Sequence, residues 1–352
     1  MATKAGHHYG GKPITPEAQE QLRMLRELPL EAKIVRSLQV ISCWYEAWGG
    51  KVAVSYSGGK DSEVVRWLVG QVFKDVPAVC VNTGLEYPEV MRRARESGAI
   101  MLRPKMPFHK VIQDYGWPLI SKRVARGINI LRNPTGANAN VYRLYNEGIN
   151  RFGEPVARFR VPNRWRFLVT APFPVSDECC NLMKKAPIKP WQKETGRMPI
   201  LGIVASDSDA REKNYLQHGC NAYDLKNPRS TPLGFWTEQD VLACIRKYKI
   251  QIADVYGEIV EDESGQLSTT GVRNTGCVFC GFGLHMDETP TRFQRMAETH
   301  PRLWDFCMGK LGMLQVLDYC RAHVPSAAVS ERFNPWPVAQ KVEQCSLLGV
   351  CA

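Results

Sequence analysis

The sequence contains no apolar run long enough to cross a membrane. Its 352 residues are 44% hydrophobic, but no uninterrupted apolar stretch approaches the roughly 20 residues that a spanning helix needs. The opening residues, MATKAGHHYGGKPITP, have no apolar segment of the signal-peptide kind. We therefore expect a globular, cytoplasmic protein with no membrane partner. The sequence has no internal repeat of the kind that solenoid proteins contain.

Acidic residues are scarce, and the scarcity is concentrated in one segment. Lys and Arg number 46 against 35 Asp and Glu, which gives a formal net charge of +11. Between residues 121 and 170 there are ten basic residues and two acidic ones, so this segment alone carries +8 of that charge. This charge balance favours an anionic partner such as a nucleotide or a nucleic acid.

The sequence also has no Walker A loop of spacing G-x-x-x-x-G-K-[ST]. Residues 52–68, VAVSYSGGKDSEVVRWL, instead begin as a buried-type strand, turn at two glycines and resume as a helix. Backbone N–H groups in such a turn, together with the helix N-terminus, form a phosphate-binding concavity. A second apolar strand at 78–83 completes a parallel βαβ unit, and the strand-like residues 199–206 would extend the same sheet.

The loop residues have distinct expected roles in holding a phosphate. Ser57, Gly58, Gly59 and Ser62 would cradle it, and Asp61 would cap the helix or help to hold Mg²⁺. Lys60 and Arg211 would supply positive charge. The catalytic candidates are Lys60, Asp61 and Arg211.

The SGGKDS sequence at 57–62 matches the loop of the PP-loop ATP pyrophosphatases, and four further segments resemble the phosphoadenosine phosphosulfate (PAPS) reductase family of that superfamily. The segments are NTGLEYPEV (82–90), DECCNLMKKAPIKPW (177–191), LGIVASDSDAREKN (201–214) and PLGFWTEQDV (232–241). The resemblance covers about residues 50–285. It implies an α/β fold with a doubly wound parallel sheet, and an adenosine nucleotide held by the loop with Asn82, Thr83 and Gly84.

Several positions depart from the family pattern. Asn82 replaces an Asp, Val204 replaces an Arg and Asp207 replaces a Glu, so contacts that the Arg makes with phosphate or sulfate are not expected here. The Glu-Cys-Gly-Leu-His motif that carries the nucleophilic cysteine of sulfonucleotide reductases is absent, and only Cys345 and Cys351 lie near the end of the sequence.

Four of the twelve cysteines form two close pairs, Cys179-Cys180 and Cys277-x-x-Cys280. In a reducing compartment such pairs are typical of metal centres rather than disulfides. Zinc and buried free thiols are alternatives, but adjacent cysteines close poorly around a tetrahedral ion. In the family resembled, this arrangement binds a 4Fe-4S cluster. The scattered Cys43, Cys80, Cys244 and Cys320 are expected to be buried packing residues.

The basic segment 121–170 has no clear periodicity and is expected to be a long irregular insertion. Its arginines alternate with aromatic residues, a combination that suits DNA or RNA binding; the other interpretation is a flap closing over a small nucleotide. The aromatic residues concerned are Tyr142, Tyr145, Phe152, Phe159, Trp165 and Phe167.

We expect three consecutive segments: N-terminal helices at 1–49, a nucleotide-binding α/β domain at 50–250, and a helical C-terminal part with the C-x-x-C pair at 251–352. Thr15 is expected to cap the first of the N-terminal helices, with Pro16 at its first position. The leading functional hypothesis is an enzyme resembling DndC, which splits ATP between its α- and β-phosphates for sulfur transfer to nucleic acid with a sulfur donor. The alternatives are a sulfonucleotide reductase that uses a thioredoxin-like reductant and releases sulfite, and a non-catalytic nucleotide- or nucleic-acid-binding accessory protein of a mobile element.

Overall fold

The computed structural model describes residues 13–337. Its strands, in chain order, are β1 Val52–Ser55, β2 Ala78–Val81, β3 Ile100–Leu102, β4 Leu119–Ile120, β5 Met198–Leu201, β6 Asn221–Ala222, β7 Arg229–Ser230, β8 Ile259–Glu261, β9 Leu267–Thr269 and β10 Gly281–Phe282. The helices are α1 Pro16–Glu27, α2 Leu30–Ala47, α3 Lys60–Val72, α4 Pro88–Glu96, α5 Phe108–Asp114, α6 Lys122–Arg132, α7 Ala139–Glu147, α8 Glu178–Cys180, α9 Ala186–Thr195, α10 Asp209–His218, α11 Glu238–Tyr248, α12 Arg292–Thr299, α13 Pro301–Asp305, α14 Met313–His323 and α15 Ala327–Ser330.

These elements divide into two compact units that interleave along the chain. The first takes the described residues up to Asn82, Glu86–Arg103 and Pro187–Gly276; the second takes Thr83–Leu85, Pro104–Ala186 and the described residues from Cys277. The expected segments 1–49, 50–250 and 251–352 follow one another along the chain, whereas each unit combines stretches that are distant in sequence.

The first unit contains a six-stranded sheet of order β3-β2-β1-β5-β7-β6. Every neighbouring pair is parallel except β6 with β7. The order runs one way from β1 to β3 and the other way from β1 through β5, so a topological switch point lies between β1 and β5. The predicted α/β class with a mostly parallel sheet is confirmed.

Local sequence signals account for several elements. The Thr15 hydroxyl accepts a hydrogen bond from the Ala18 N–H at 3.2 Å, which caps α1 as expected. Thr237 and Asp240 form a capping box at the start of α11. Strand β5 pairs with β1 as predicted but ends at Leu201, because the chain then turns into a short 3-10 helix at Ala205–Asp207.

The prediction that residues 121–170 are irregular is wrong, since this segment contains α6 and α7. Ser121 caps α6, and the buried Val124, Ile128 and Leu131 recur at helical spacing on one side. Charged residues on the opposite side of this short helix obscure the pattern in the sequence.

The scattered cysteines follow the prediction at three positions of four. Cys80, Cys244 and Cys320 are buried, whereas Cys43 is exposed. Cys43 lies on α2 next to the fully buried Trp44, and its own side of the helix faces solvent.

A buried ion pair joins α2 to α11 in the first unit. The Lys33 Nζ lies 2.7 Å from the Asp240 Oδ2, and the two side chains are 3% and 15% exposed. The Asp240 carboxylate also accepts from the N–H and the hydroxyl of Thr237. It therefore combines helix capping with attachment of α2.

We predict that Lys33→Met destabilises the first unit by about 3 kcal/mol, because a buried carboxylate that has lost its cation keeps its desolvation cost. Urea unfolding measures the change. The control is Lys247→Met, which breaks an exposed ion pair with Glu31 between the same two helices; screening by water makes such pairs weak. Equal midpoints for the two variants would contradict the assignment.

Candidate functional site

The loop 57–62 lies at the carboxyl end of β1, at the switch point of the sheet. Gly58 has φ +72°, and a Cβ there would lie 2.8 Å from the Val90 side chain and carbonyl oxygen. After β5, a Cβ on Gly202 would lie 2.9 Å from the backbone of Asp61. Both glycines allow a close approach that no larger residue permits, and this holds the loop between α4 and the end of β5.

The loop hydroxyls are bound to the loop backbone. The Ser62 Oγ donates to the Gly59 carbonyl at 2.8 Å and accepts from the Ser57 N–H at 3.2 Å. The Ser57 Oγ accepts from the Gly59 N–H at 3.3 Å. The predicted cradle residues Ser57, Gly58, Gly59 and Ser62 therefore form one preorganised turn.

Lys60 is held deep within this site, with a side chain that is only 3% exposed. Its Nζ donates to the Arg273 carbonyl at 2.8 Å and to the Asn274 Oδ1 at 3.0 Å, and lies 3.4 Å from the Glu238 Oε1. Its backbone N–H donates to the Tyr256 Oη at 3.0 Å. The first N–H of α3 and the ammonium group are thus both paired with residues about 200 positions away in sequence.

Tyr256 and Thr275 lie directly against the loop. The two hydroxyl groups are 2.8 Å apart, and a Cβ on Gly59 would lie 3.0 Å from the Thr275 Oγ1. Burial raises the pKa of Tyr256 to about 12, so its hydroxyl stays protonated at neutral pH. A phenol in this position can donate to a phosphate oxygen.

Carboxylates balance the cations around the loop. Burial raises the pKa of Asp61 to about 6, against the lowering effect of Lys60. Burial also raises the pKa of Asp207, which forms an ion pair with Arg211 on the first turn of α10. Burial alone would raise the pKa of Glu238, but its hydrogen bond from Arg273 and the charge of Lys60 lower it overall.

The structure places the other predicted nucleotide residues in different units. The Asn82 N–H donates to the Leu102 carbonyl at 2.8 Å, which continues the β2–β3 pairing in the first unit. Thr83 is buried and accepts from the Leu85 N–H through its Oγ1, and Gly84 has φ +75°; both belong to the second unit. Their nucleotide-binding role stays a prediction.

Val204, which stands where the resembled family has an Arg, is 1% exposed and packs in the core of the first unit. An apolar side chain buried in this way offers no charge to an anion. Val204 therefore packs in the core at a position where the resembled family has a cation.

The four paired cysteines lie together in the second unit. Burial raises the pKa of the Cys179 thiol, and nearby Cys277, Cys180 and Cys280 raise it further, while Lys184 lowers it. Burial raises the pKa of Cys280 to about 11. Four sulfurs from α8 and from the 277–280 turn are therefore within electrostatic reach of one another, which fits the donor set of an iron–sulfur cluster. Within residues 13–337, however, no three or more His, Cys, Asp or Glu side chains are arranged to hold a single metal ion.

Arg292 fixes the turn that carries the second cysteine pair. Its Nη1 donates to the Cys280 carbonyl at 3.2 Å and to the Phe282 carbonyl at 3.0 Å, and its Nη2 pairs with Asp287 at 2.7 Å. The Cys280 N–H closes the turn onto the Cys277 carbonyl at 3.1 Å. The C-x-x-C segment is therefore held by its backbone before any metal contributes.

The basic segment presents most, but not all, of its side chains to solvent. Arg132 and Arg166 are half-buried and donate to carbonyls of their own unit. The exposed cations are Lys122, Arg123, Arg126, Arg143, Arg151, Arg158, Arg160 and Arg164. The expectation of interleaved stacking faces is wrong for Trp165 and Tyr145, which are buried, whereas Phe152 is 53% exposed beneath the Arg151 guanidinium.

Sequence reasoning missed Tyr256, Glu238, Asn274 and Thr275 as parts of the loop site. Glu238 was recognisable only as an acidic residue in the first turn of α11, and residues 273–275 only as polar residues before a cysteine. Because these residues are far from the loop along the chain, no local sequence pattern indicates that they contact it.

In the described part of the chain, none of the helices combines the length and apolarity that a bilayer span demands.

A family model supports the resemblance read from the motifs over part of the chain. Residues 51–101 match the family model of the phosphoadenosine phosphosulfate reductase domain. An uncharacterized protein of Methanocaldococcus jannaschii is 22% identical over 284 residues, covering 77% of this chain and 50% of the relative, so the chain spans about half the length of that curated relative. A crystal structure of PAPS reductase from Candida auris in complex with phosphate is similar with 13% identity and a TM-score of 0.37, covering 73% of this chain and 100% of that chain.

We predict that Asp61→Asn stabilises the protein more at pH 7 than at pH 4. Because the pKa of Asp61 rises from its ordinary value near 3.8 to about 6 on folding, the native state binds the proton more tightly than the unfolded state. Wild-type stability is therefore lost as the pH rises from about 4 to 6. Thermal midpoints across this range measure the difference, which a neutral Asn abolishes; a constant offset between the two proteins would contradict the prediction.

Proposed function

We propose that this chain, whose residues 51–101 match the PAPS reductase domain, is a PP-loop enzyme that cleaves ATP between its α- and β-phosphates to activate a nucleic-acid oxygen for replacement by sulfur. The observation that carries the proposal is the loop 57–62 at the switch point of a mostly parallel sheet. In such sheets ligands bind at the carboxyl ends of the strands. The glycine turn and the start of α3 together suit a polyphosphate.

The residues around the loop have separate roles in this reaction. The acceptor oxygen attacks the α-phosphorus, the bond to the β-phosphate oxygen breaks, and pyrophosphate leaves with the electron pair. Lys60 and Arg211 neutralise charge that develops on the phosphates, and Tyr256 donates a hydrogen bond from its protonated hydroxyl. A donor carrying sulfur at the sulfide level then displaces AMP, which departs with the original oxygen.

The choice of ATP over a sulfonucleotide is supported by Val204. The buried, apolar side chain replaces an Arg of the resembled family, so this position offers no cation to a sulfate group. A sulfonucleotide reductase would also need an accessible thiolate of lowered pKa. Its candidates, Cys345 and Cys351, lie outside the described residues.

The proposed cofactor is a 4Fe-4S cluster on Cys179, Cys180, Cys277 and Cys280. When bound, it would supply a stable thiolate-bound centre able to carry one electron. This chain contributes four neighbouring sulfurs, of which that of Cys179 is buried and the others belong to half-buried residues. It also contributes the turn that Arg292 holds, while Lys184 adds positive charge beside Cys179.

The proposed acceptor is DNA or RNA, bound through the eight exposed cations of residues 121–170. Phosphate contacts by such side chains release counterions, so binding weakens as salt rises. Phe152, exposed beside Arg151, offers a stacking face for an unpaired base.

We predict that anaerobically purified protein contains about four irons per chain, and that Cys180→Ser removes them. Iron and zinc analysis with the visible absorption spectrum provides a measurement that does not depend on activity. Cys43→Ser, at an exposed position outside the set, should retain the iron. Stoichiometric zinc without iron in the wild type would exclude the cluster.

We predict that the protein releases pyrophosphate from ATP, that nucleic acid stimulates the release, and that Ser57→Ala lowers the rate at least tenfold because Ser57 orders the loop N–H groups. Ser57 is exposed, so its replacement should preserve folding. Ser264→Ala, in the turn between β8 and β9, is the matched control. Sulfite release from adenylyl sulfate or its 3′-phosphorylated form with thioredoxin should be weak.

Two outcomes of this assay would replace the proposal. Strong sulfite release that is lost in Cys345→Ser would establish the reductase interpretation. Neither pyrophosphate nor sulfite release, with nucleotide binding intact by thermal shift, would favour the non-catalytic accessory protein.

A further inference from the structure

A cationic cleft lies beside β5 in the first unit. Its volume is about 340 Å³. The residues that line it come from α9, from β5 and the residue before it, and from the first residue of β7 and the turn before it: Gln192, Lys193, Arg197, Met198, Pro199, Leu201, Lys226, Asn227, Pro228 and Arg229.

Four of these ten residues are cations, and none is acidic: Lys193, Arg197, Lys226 and Arg229. Lys193 and Lys226 are exposed, whereas Arg197 and Arg229 are half-buried. Positive charge confined to one concave surface raises the local concentration of anions. The charge pattern therefore predicts an anionic ligand.

The structure holds the two guanidinium groups in place. The Arg197 Nη1 donates to the Val52 carbonyl at 2.9 Å, and the Arg229 Nη2 donates to the Asn214 Oδ1 at 2.8 Å. An Arg side chain has five N–H donors, so each keeps others for a ligand. Because both groups are already ordered, binding an anion costs them little conformational entropy.

The cleft runs along β5 from Met198 to Leu201, and Arg197 lies toward the end of the sheet opposite the loop. Strands β1 and β5 are parallel, with Val52 opposite Met198 and Ser55 opposite Leu201. The loop follows Ser55, whereas Arg197 contacts the carbonyl of Val52 at the start of β1. The cationic part of the cleft is therefore at the other end of these strands from the proposed nucleotide site.

Its charge is too large for one phosphate group. A phosphate monoester carries about −1.5 to −2 at pH 7, and four cations would leave about half of their charge uncompensated. A linear polyanion with several charges compensates the four cations better: each phosphate of a nucleic-acid backbone contributes about one negative charge, so several consecutive ones are needed, whereas two or three groups of a polyphosphate chain suffice.

We propose that this cleft binds consecutive phosphate groups of a linear polyanion. Both a nucleic-acid backbone and a free polyphosphate chain have this chemistry. If the proposed acceptor reaction is correct, the cleft gives a nucleic-acid strand a phosphate contact in the first unit, in addition to the basic segment of the second.

The test compares Lys193→Gln/Lys226→Gln with the wild type in two binding assays without ATP. One probe is a fluorescent single-stranded oligonucleotide titrated at several salt concentrations, and the other is tripolyphosphate followed by calorimetry. The control is Lys105→Gln/Lys249→Gln, which removes the same charge from exposed positions outside the cleft.

We expect the cleft variant to bind the oligonucleotide about tenfold more weakly at low salt. Loss of two phosphate contacts should also reduce the slope of log K against log salt by about 1.4 for a single strand. Weakened oligonucleotide binding assigns the cleft to nucleic acid, and loss confined to tripolyphosphate assigns it to a free chain. Unchanged binding of both probes, or equal losses in the control, overturns the proposal. Failure of pyrophosphate release from ATP would refute the proposed reaction without affecting either assay.

Discussion

The buried ammonium group of Lys60 is the constraint on which the loop site depends. A charge with 3% of its side chain exposed must find partners within the protein, because an unpaired buried charge is prohibitively costly. It finds them in the Arg273 carbonyl, Asn274 and Glu238. This requirement holds residues 273–275 against the loop and positions Tyr256 and Thr275 beside Gly59.

The charges around the loop are balanced in the described structure. Lys60, Arg211 and Arg273 face three carboxylates, those of Asp61, Asp207 and Glu238. A triphosphate brought into this surrounding would add several negative charges, while Lys60 and Arg211 already have carboxylate partners. The balance therefore favours a nucleotide that arrives with Mg²⁺, or one whose binding breaks the Arg211–Asp207 pair and releases the arginine.

Local features of the molecule could be predicted from the sequence, whereas contacts distant along the chain could not. The strand–loop–helix at 52–68 and the cap at Thr15 depend on neighbouring residues, and both were predicted correctly. The attachment of residues 273–275 to Lys60 depends on tertiary packing and leaves no periodic signal. The prediction for the basic segment was wrong for another reason, because surface arginines conceal the short apolar stripe of α6 in the sequence.

The surroundings of the four paired cysteines determine how a metal centre could form there. Burial and the neighbouring sulfurs raise the pKa of the Cys179 thiol, so four thiolates cannot accumulate here without compensating positive charge. Lys184 supplies one such charge near Cys179, and Arg292 supplies another near Cys280. A metal cluster would supply far more, because bound metal ions invert the local preference and stabilise deprotonated sulfur. Assembly of such a cluster would therefore release protons and depend on pH, since the energy that deprotonates the thiols comes from metal binding.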